Sequence, residues 1–174
     1  MTTYHYRYWQ MLLFLVSLSV LAASLYFQYI RGLEPCPLCL MQRLCVILEV
    51  LLCLIALFVN TLRTQRIITM LQIIIALAGF YFAGRQLWLQ SLPHDQIPAC
   101  LPGLDVLMRY FPWRDIFHAL LWGAADCAEV NWTLLGLSMP AWVVLYFIGM
   151  LSAALFLYIN SKRKYGNQNS QYSL

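Results

Sequence analysis

Four long apolar runs decide what this chain can become. Trp9 to Ile30, Pro37 to Asn60, Ile67 to Gln90 and Ala141 to Asn160 each reach the roughly 20 mostly apolar residues that carry a helix across a bilayer. In lipid the backbone has to satisfy its own hydrogen bonds, so each run is read as an α-helix. Composition supports this reading. Hydrophobic residues make up 62% of the chain and charged residues 10%, against about 45–50% and about 25% in soluble domains, so the chain has too few charges to cover a water-facing surface. The expected fold is an all-α membrane protein: one integral membrane domain over residues 1–174 built as a four-transmembrane-helix bundle. Pro140 stands where the start of the last helix tolerates a proline best.

The first run carries Ala22-Ala23-Ser24 late in its apolar stretch, which resembles a signal-peptide cleavage region. It is longer than a typical signal core and stays apolar past those residues, so it is read as an uncleaved span. The net charge of +4 does not point to nucleic acid, because the basic residues are placed as a topology signal. Arg7, the Arg63/Arg66 loop and Lys162-Arg163-Lys164 all fall on one side of an even number of spans. That side is expected to be cytoplasmic, with both termini there. The opposite side then holds two outer loops, a short one over about 31–38 and a long one over about 91–140. The tail 161–174, basic at first and then rich in Asn, Gln and Ser, is expected to be disordered.

This placement sorts the six cysteines. Cys36 and Cys39 fall in the short outer loop or at the start of the second span, Cys100 and Cys127 in the long loop, and Cys45 and Cys53 inside the second span. Four cysteines thus face a compartment in which disulfides persist, one pair per loop. The long loop begins with an irregular stretch containing Pro93, Pro98, Pro102 and Gly103. Beyond Pro112, the residues Trp113, Ile116, Phe117, Leu120 and Leu121 recur at helical spacing, with Arg114, Asp115 and His118 elsewhere on the wheel. About ten residues are too few to span, so this is read as a short interfacial helix with Trp113 and Trp122 at headgroup level.

Cys36 and Cys39 form a C-x-x-C pair within EPCPLCLMQR. Such a pair can bind metal, but no second pair here has ligand spacing, and no His follows Cys39 for haem attachment. As a static staple it would close almost no loop and contribute little. Electron exchange remains. Cys39 lies near a helix N-terminus, and Arg43 lies one turn deeper on the same face; both favour a thiolate. A cation where the bilayer begins is costly without a partner. Arg43 either snorkels to the headgroups or stands beside an electron acceptor in the membrane, where a fixed cation stabilises a reduced quinone.

EPCPLCLMQR after a first span, the proline-flanked Cys100, and the DCAE around Cys127 ahead of a fourth span together resemble the bacterial DsbB family of disulfide bond formation proteins. The likeness covers nearly the whole chain. A DsbA–DsbB–quinone route keeps the bacterial periplasm oxidising. The resemblance implies that Cys100–Cys127 is the disulfide presented to a reduced DsbA-like periplasmic protein, with Cys100 forming the mixed disulfide. It implies that Cys127 then attacks Cys36 to give an interloop Cys36–Cys127 bond. Cys39 would be released as the thiolate that meets a quinone, ubiquinone or menaquinone, with Arg43 helping to hold it. No structural metal, no nucleic acid and a monomer are expected.

Two further readings share these parts. Four-helix proteins resembling vitamin K epoxide reductase also pair loop cysteines with a C-x-x-C near a quinone, but place the active pair late in the bundle. A non-enzymatic membrane protein with structural outer-loop disulfides would keep them stable and indifferent to quinone. Several residues stay outside every reading. Glu49 lies deep in the second span with Cys45 and Cys53 at i−4 and i+4, as a proton path, a metal site, or a neutral acid packed among small residues. Arg85 either snorkels or lies near the quinone. His94 and His118 are read as solvent-facing, and Gly79 and Ala83 as sites of close helix packing.

Overall fold

A computed structural model describes residues 3–93, 112–130 and 132–171. Four helices are long and apolar enough to cross a membrane. They are α1 (Thr3–Tyr29), α2 (Pro37–Phe58), α3 (Leu62–Gln90) and, last in the chain, α5 (Met139–Gln171); the short α4 (Trp113–Trp122) precedes α5. A single 3-10 turn over Ala125–Cys127 and a hairpin of β1 (Thr133–Leu134) and β2 (Leu137–Ser138) lie between α4 and α5. The four-helix expectation and the short interfacial helix are both met. The boundaries move outward for α1, α3 and α5, because a helix continues past the hydrocarbon wherever nothing breaks its ladder. α5 runs to Gln171. Extending a formed helix costs far less than nucleating one. Cys100, His94 and the proline-rich stretch around them lie outside the described residues.

Local chemistry sets the key boundaries. Gly32, at φ +66°, ends the turn after α1. Cys36 then caps α2: its sulfur accepts the Cys39 backbone N–H at 3.3 Å, and Pro37 takes the first helical position, where no N–H is needed. The hairpin turns on Leu135 and Gly136, both at positive φ, with Thr133 opposite Ser138 and Leu134 opposite Leu137. Two positive φ values suit the tight turns that match strand twist.

In the bundle, α1 packs along α2, α2 along α3 and α3 along α5. Close approach of the last pair depends on Gly79, since a Cβ there would lie 2.1 Å from the buried Phe147 ring. The polarity is inverted relative to a soluble bundle. Leu44, Ile47, Leu51, Ile55, Ile67, Met70 and Ile74 face outward, while Gln10, Ser17, Gln42, Glu49, Gln65, Thr69, Gln72 and Gln86 are buried. Lipid tails accept apolar side chains on the outside, so polar groups turn inward and pair across helices.

Candidate functional site

Three sulfurs meet at one end of the bundle. Cys36 and Cys39 sulfurs are 2.7 Å apart at the start of α2. Cys127 is fully buried at the end of the 3-10 turn and hydrogen bonds to Cys36. The chain reaches it from α4 through Gly123, at φ +86°, where a Cβ would lie 2.6 Å from Leu89 and 2.8 Å from Leu38. Only glycine fits that bend. Cys127 stands 27 positions after Cys100 in sequence. Cys100 cannot be placed, being outside the described residues.

The environments of Cys36 and Cys127 differ in sign. The Cys36 thiol is pushed well above its ordinary range, first by its hydrogen bond to Cys127, then by that to Cys39 and by burial. Cys127 is lowered, because it receives the hydrogen bond from Cys36; backbone hydrogen bonds from Ala124 and Leu38 add to this against the opposing effect of burial. Of the two thiols, Cys127 therefore ionises more readily.

Gln86, from α3, was not singled out in the sequence, yet it touches both members of the C-x-x-C pair. Its buried amide nitrogen lies 3.3 Å from Cys39 and 3.6 Å from Cys36, and its oxygen accepts from Gln42 at 2.7 Å. Arg43 is tied to α1. Its Nε donates to Ser24 Oγ at 3.0 Å, its Nη2 to the Ser24 carbonyl at 3.4 Å, and its Nη1 to Gln28. Ser24 and Gln28 stand one turn apart on α1, a spacing that would have marked a polar clamp had the run not been read for its apolar residues alone.

Beside this clamp lies a cavity of about 230 Å³ walled by Val20, Phe27, Trp132, Leu134, Trp142 and Val143. Cys39, Gln42, Arg43, Gln86 and Tyr146 supply its polar edge. An apolar cavity of about 150 Å³ accepts a benzene ring, so this one suits a substituted flat ring carrying acceptor oxygens. A smaller cavity of about 100 Å³ continues from it toward Glu34, Cys36, Asp126 and Glu129 at the loop face. Cys39, Arg43 and Gln86 line both. Arg85 lines neither. It donates to the Trp122 carbonyl at 3.2 Å, completing the C-terminus of α4, and its guanidinium lies 4.1 Å from the Trp88 ring centre. His118 stacks on Trp122 with ring centres 6.3 Å apart.

Comparison with known proteins agrees with this arrangement. Residues 6–157 match the family model described as "Disulfide bond formation protein DsbB". The chain is 44% identical over 144 residues to the disulfide bond formation protein B of Stutzerimonas stutzeri, covering 82% of this chain and 88% of that protein. It is 44% identical over 151 residues to the protein of that name from Methylococcus capsulatus, covering 86% and 92%. It is 41% identical over 150 residues to disulfide bond formation protein B 1 of Pseudomonas aeruginosa, again covering 86% and 92%. With four membrane-spanning helices, a cysteine cluster at one end and family likeness along most of its length, the chain belongs to the DsbB family of membrane disulfide bond formation proteins.

Proposed function

We propose that this protein reoxidises a soluble, periplasmic DsbA-like dithiol protein and passes the two electrons to a membrane quinone. The observation that carries the reading is Cys36 held between Cys127 and Cys39, with Cys39 on the edge of the apolar cavity. Cys100 and Cys127 form the outer disulfide, and a partner thiolate attacks Cys100. Released Cys127 then attacks Cys36, which breaks Cys36–Cys39 and frees Cys39 as the thiolate. Each exchange forms one S–S bond and breaks one, so electron pairs move inward while bond count is conserved.

A quinone supplies the two-electron sink when bound. The chain's own residues do the rest. Arg43, fixed by Ser24 and Gln28, offers a cation that needs no reorganisation. Gln86 orients and stabilises the Cys39 sulfur. The apolar walls exclude water that would screen both.

The test is purified protein with a reduced DsbA-like protein and ubiquinone or menaquinone, following quinone absorbance. Quinone reduction is expected, and it should be abolished in Cys39→Ser and Cys100→Ser. Full turnover of either variant removes the relay, and no quinone reduction by the intact protein removes the reading.

A further inference from the structure

The buried polar groups do not stop at the cavity. Gln10 and Gln72 pair their amides reciprocally at 3.0 Å between α1 and α3, and Gln72 also donates to Cys53 at 3.1 Å. Toward the end of the bundle remote from the C-x-x-C pair, the Tyr6 hydroxyl lies 3.4 Å from Thr69 Oγ1 and from the Gln65 carbonyl. Toward the cavity, one turn of α2 separates Cys53 from Glu49, and another separates Glu49 from Cys45. Across from them the Tyr146 hydroxyl is 2.8 Å from Ser17 Oγ; Tyr146 also lines the cavity and lies within electrostatic range of Glu49. A polar seam thus runs along the bundle axis from Tyr6 to the cavity.

Glu49 is the anomaly in this seam. It is 0% exposed, and neither carboxyl oxygen has a hydrogen-bond partner. Leaving such a group unpaired costs several kcal/mol relative to an apolar residue of similar size, so simple packing does not explain it. It sits three residues below Val46 and seven below Gln42, both cavity-lining, on the same stripe of α2. The titratable groups facing it are Cys45 and Cys53 on its own helix and Tyr146 on α5; α1 and α3 present uncharged Ser17, Gln10 and Gln72. Nothing nearby holds its proton in a fixed bond.

We propose that Glu49 is the internal proton donor for reduction of the acceptor in the cavity, acting through Tyr146 and recharged along the Tyr6–Gln10–Gln72–Cys53 seam. The inference rests on the quinone reading above. Per turnover the dithiol loses two electrons and two protons as its S–S bond forms, and the acceptor gains two electrons and two protons. Tyr146 gives its hydroxyl proton to one acceptor oxygen, and the Glu49 side chain, unbonded at rest, swings to the Tyr146 hydroxyl and replaces that proton. The Glu49 carboxylate then takes up a proton from the bundle end remote from the C-x-x-C pair. The second acceptor proton comes from water at the loop-side cavity, and the two thiol protons leave to water there. Glu49 touches no reacting atom, so it positions and supplies a proton rather than acting on the substrate.

The experiment uses the full chain in lipid nanodiscs with a short-chain ubiquinone and a reduced DsbA-like protein. Infrared difference spectra on reduction should show a protonated-carboxyl band that shifts or bleaches, absent in Glu49→Gln. Quinol formation should slow about tenfold in Glu49→Gln, and by the 10²–10⁴-fold typical of a direct proton donor in Tyr146→Phe. Glu49→Asp should recover most of the rate, and formation of the mixed disulfide at Cys100 should be unchanged. Wild-type rates in Glu49→Gln, or a carboxyl band unmoved by reduction in the wild-type protein, overturn the proposal while leaving the oxidase reading intact. The wild-type spectrum decides even if Glu49→Gln fails to fold. A wild-type protein that reduces no quinone removes both.

Discussion

At the scale of single residues, the opposed environments of Cys36 and Cys127 make a direct prediction. Cys127 is lowered mainly by the hydrogen bond it receives from Cys36, so its thiolate forms at lower pH than that of an ordinary cysteine. Removing the donor should raise the midpoint, while replacing the thiol by a hydroxyl should retain part of the effect. In reduced protein whose other cysteines are serine, the Cβ carbon resonance of labelled Cys127 should therefore titrate at higher pH in Cys36→Ala than in Cys36→Ser. Identical midpoints would show that the contact does not set the nucleophile. Gln86 yields a second prediction. Its amide serves both sulfurs and pairs with Gln42. A hydrogen bond to a charged group is worth about 1.5–3 kcal/mol, so Gln86→Leu should slow electron delivery from Cys39 roughly tenfold to hundredfold. Rapid mixing with quinone should show that loss while exchange with the partner protein keeps its rate. The sequence made the cysteines and Arg43 visible because C-x-x-C and an arginine at i+4 are local patterns. Gln86 was not visible, because its relation to Cys39 spans 47 residues and exists only once α2 and α3 pack.

At the scale of elements, the helices were legible and their contacts were not. Apolar length fixed all four spans, since in lipid nothing but a helix satisfies that much backbone. The hairpin escaped notice because two residues per strand give no periodicity to read. Its place matters all the same: Trp132 and Leu134 wall the cavity, and Trp132 packs on Phe27 with ring centres 4.7 Å apart. Gly79 was read as a packing residue, and the contact it permits is with Phe147. Because a Cβ at 79 would overlap that ring, Gly79→Ala has to push α5 or the ring away, at about 1–3 kcal/mol for overpacking of this kind. Thermal unfolding in detergent should show the loss, and Phe147→Leu in the same background should recover part of it. An unchanged midpoint for Gly79→Ala would mean that α3 and α5 are not held this closely.

At the scale of the whole molecule, the two ends of the bundle are chemically opposite, and that predicts its direction in the membrane. One end gathers the sulfurs, the hairpin and α4. At the other, the Arg7 guanidinium donates to Asn60 at 2.9 Å, just ahead of Arg63 and Arg66 at the start of α3. Trp9 meets Phe156 there, with ring centres 5.9 Å apart, so the basic start of the tail emerges at the same end. Basic residues near span ends are retained on the cytoplasmic side. Cytosolic thiols are kept reduced, so the proposed relay, which begins with a disulfide, is expected on the other side. Both constraints ask for the same orientation, although one comes from charge and the other from sulfur chemistry. Reporter fusions in cells can check it. A fluorescent protein fused after Asn60 or after Leu174 should fluoresce, and alkaline phosphatase fused after Leu135 should be active. The reverse pattern would place the cysteine cluster among reducing thiols, where Cys36–Cys39 could not persist oxidised, and the proposed relay would have no starting disulfide to pass inward.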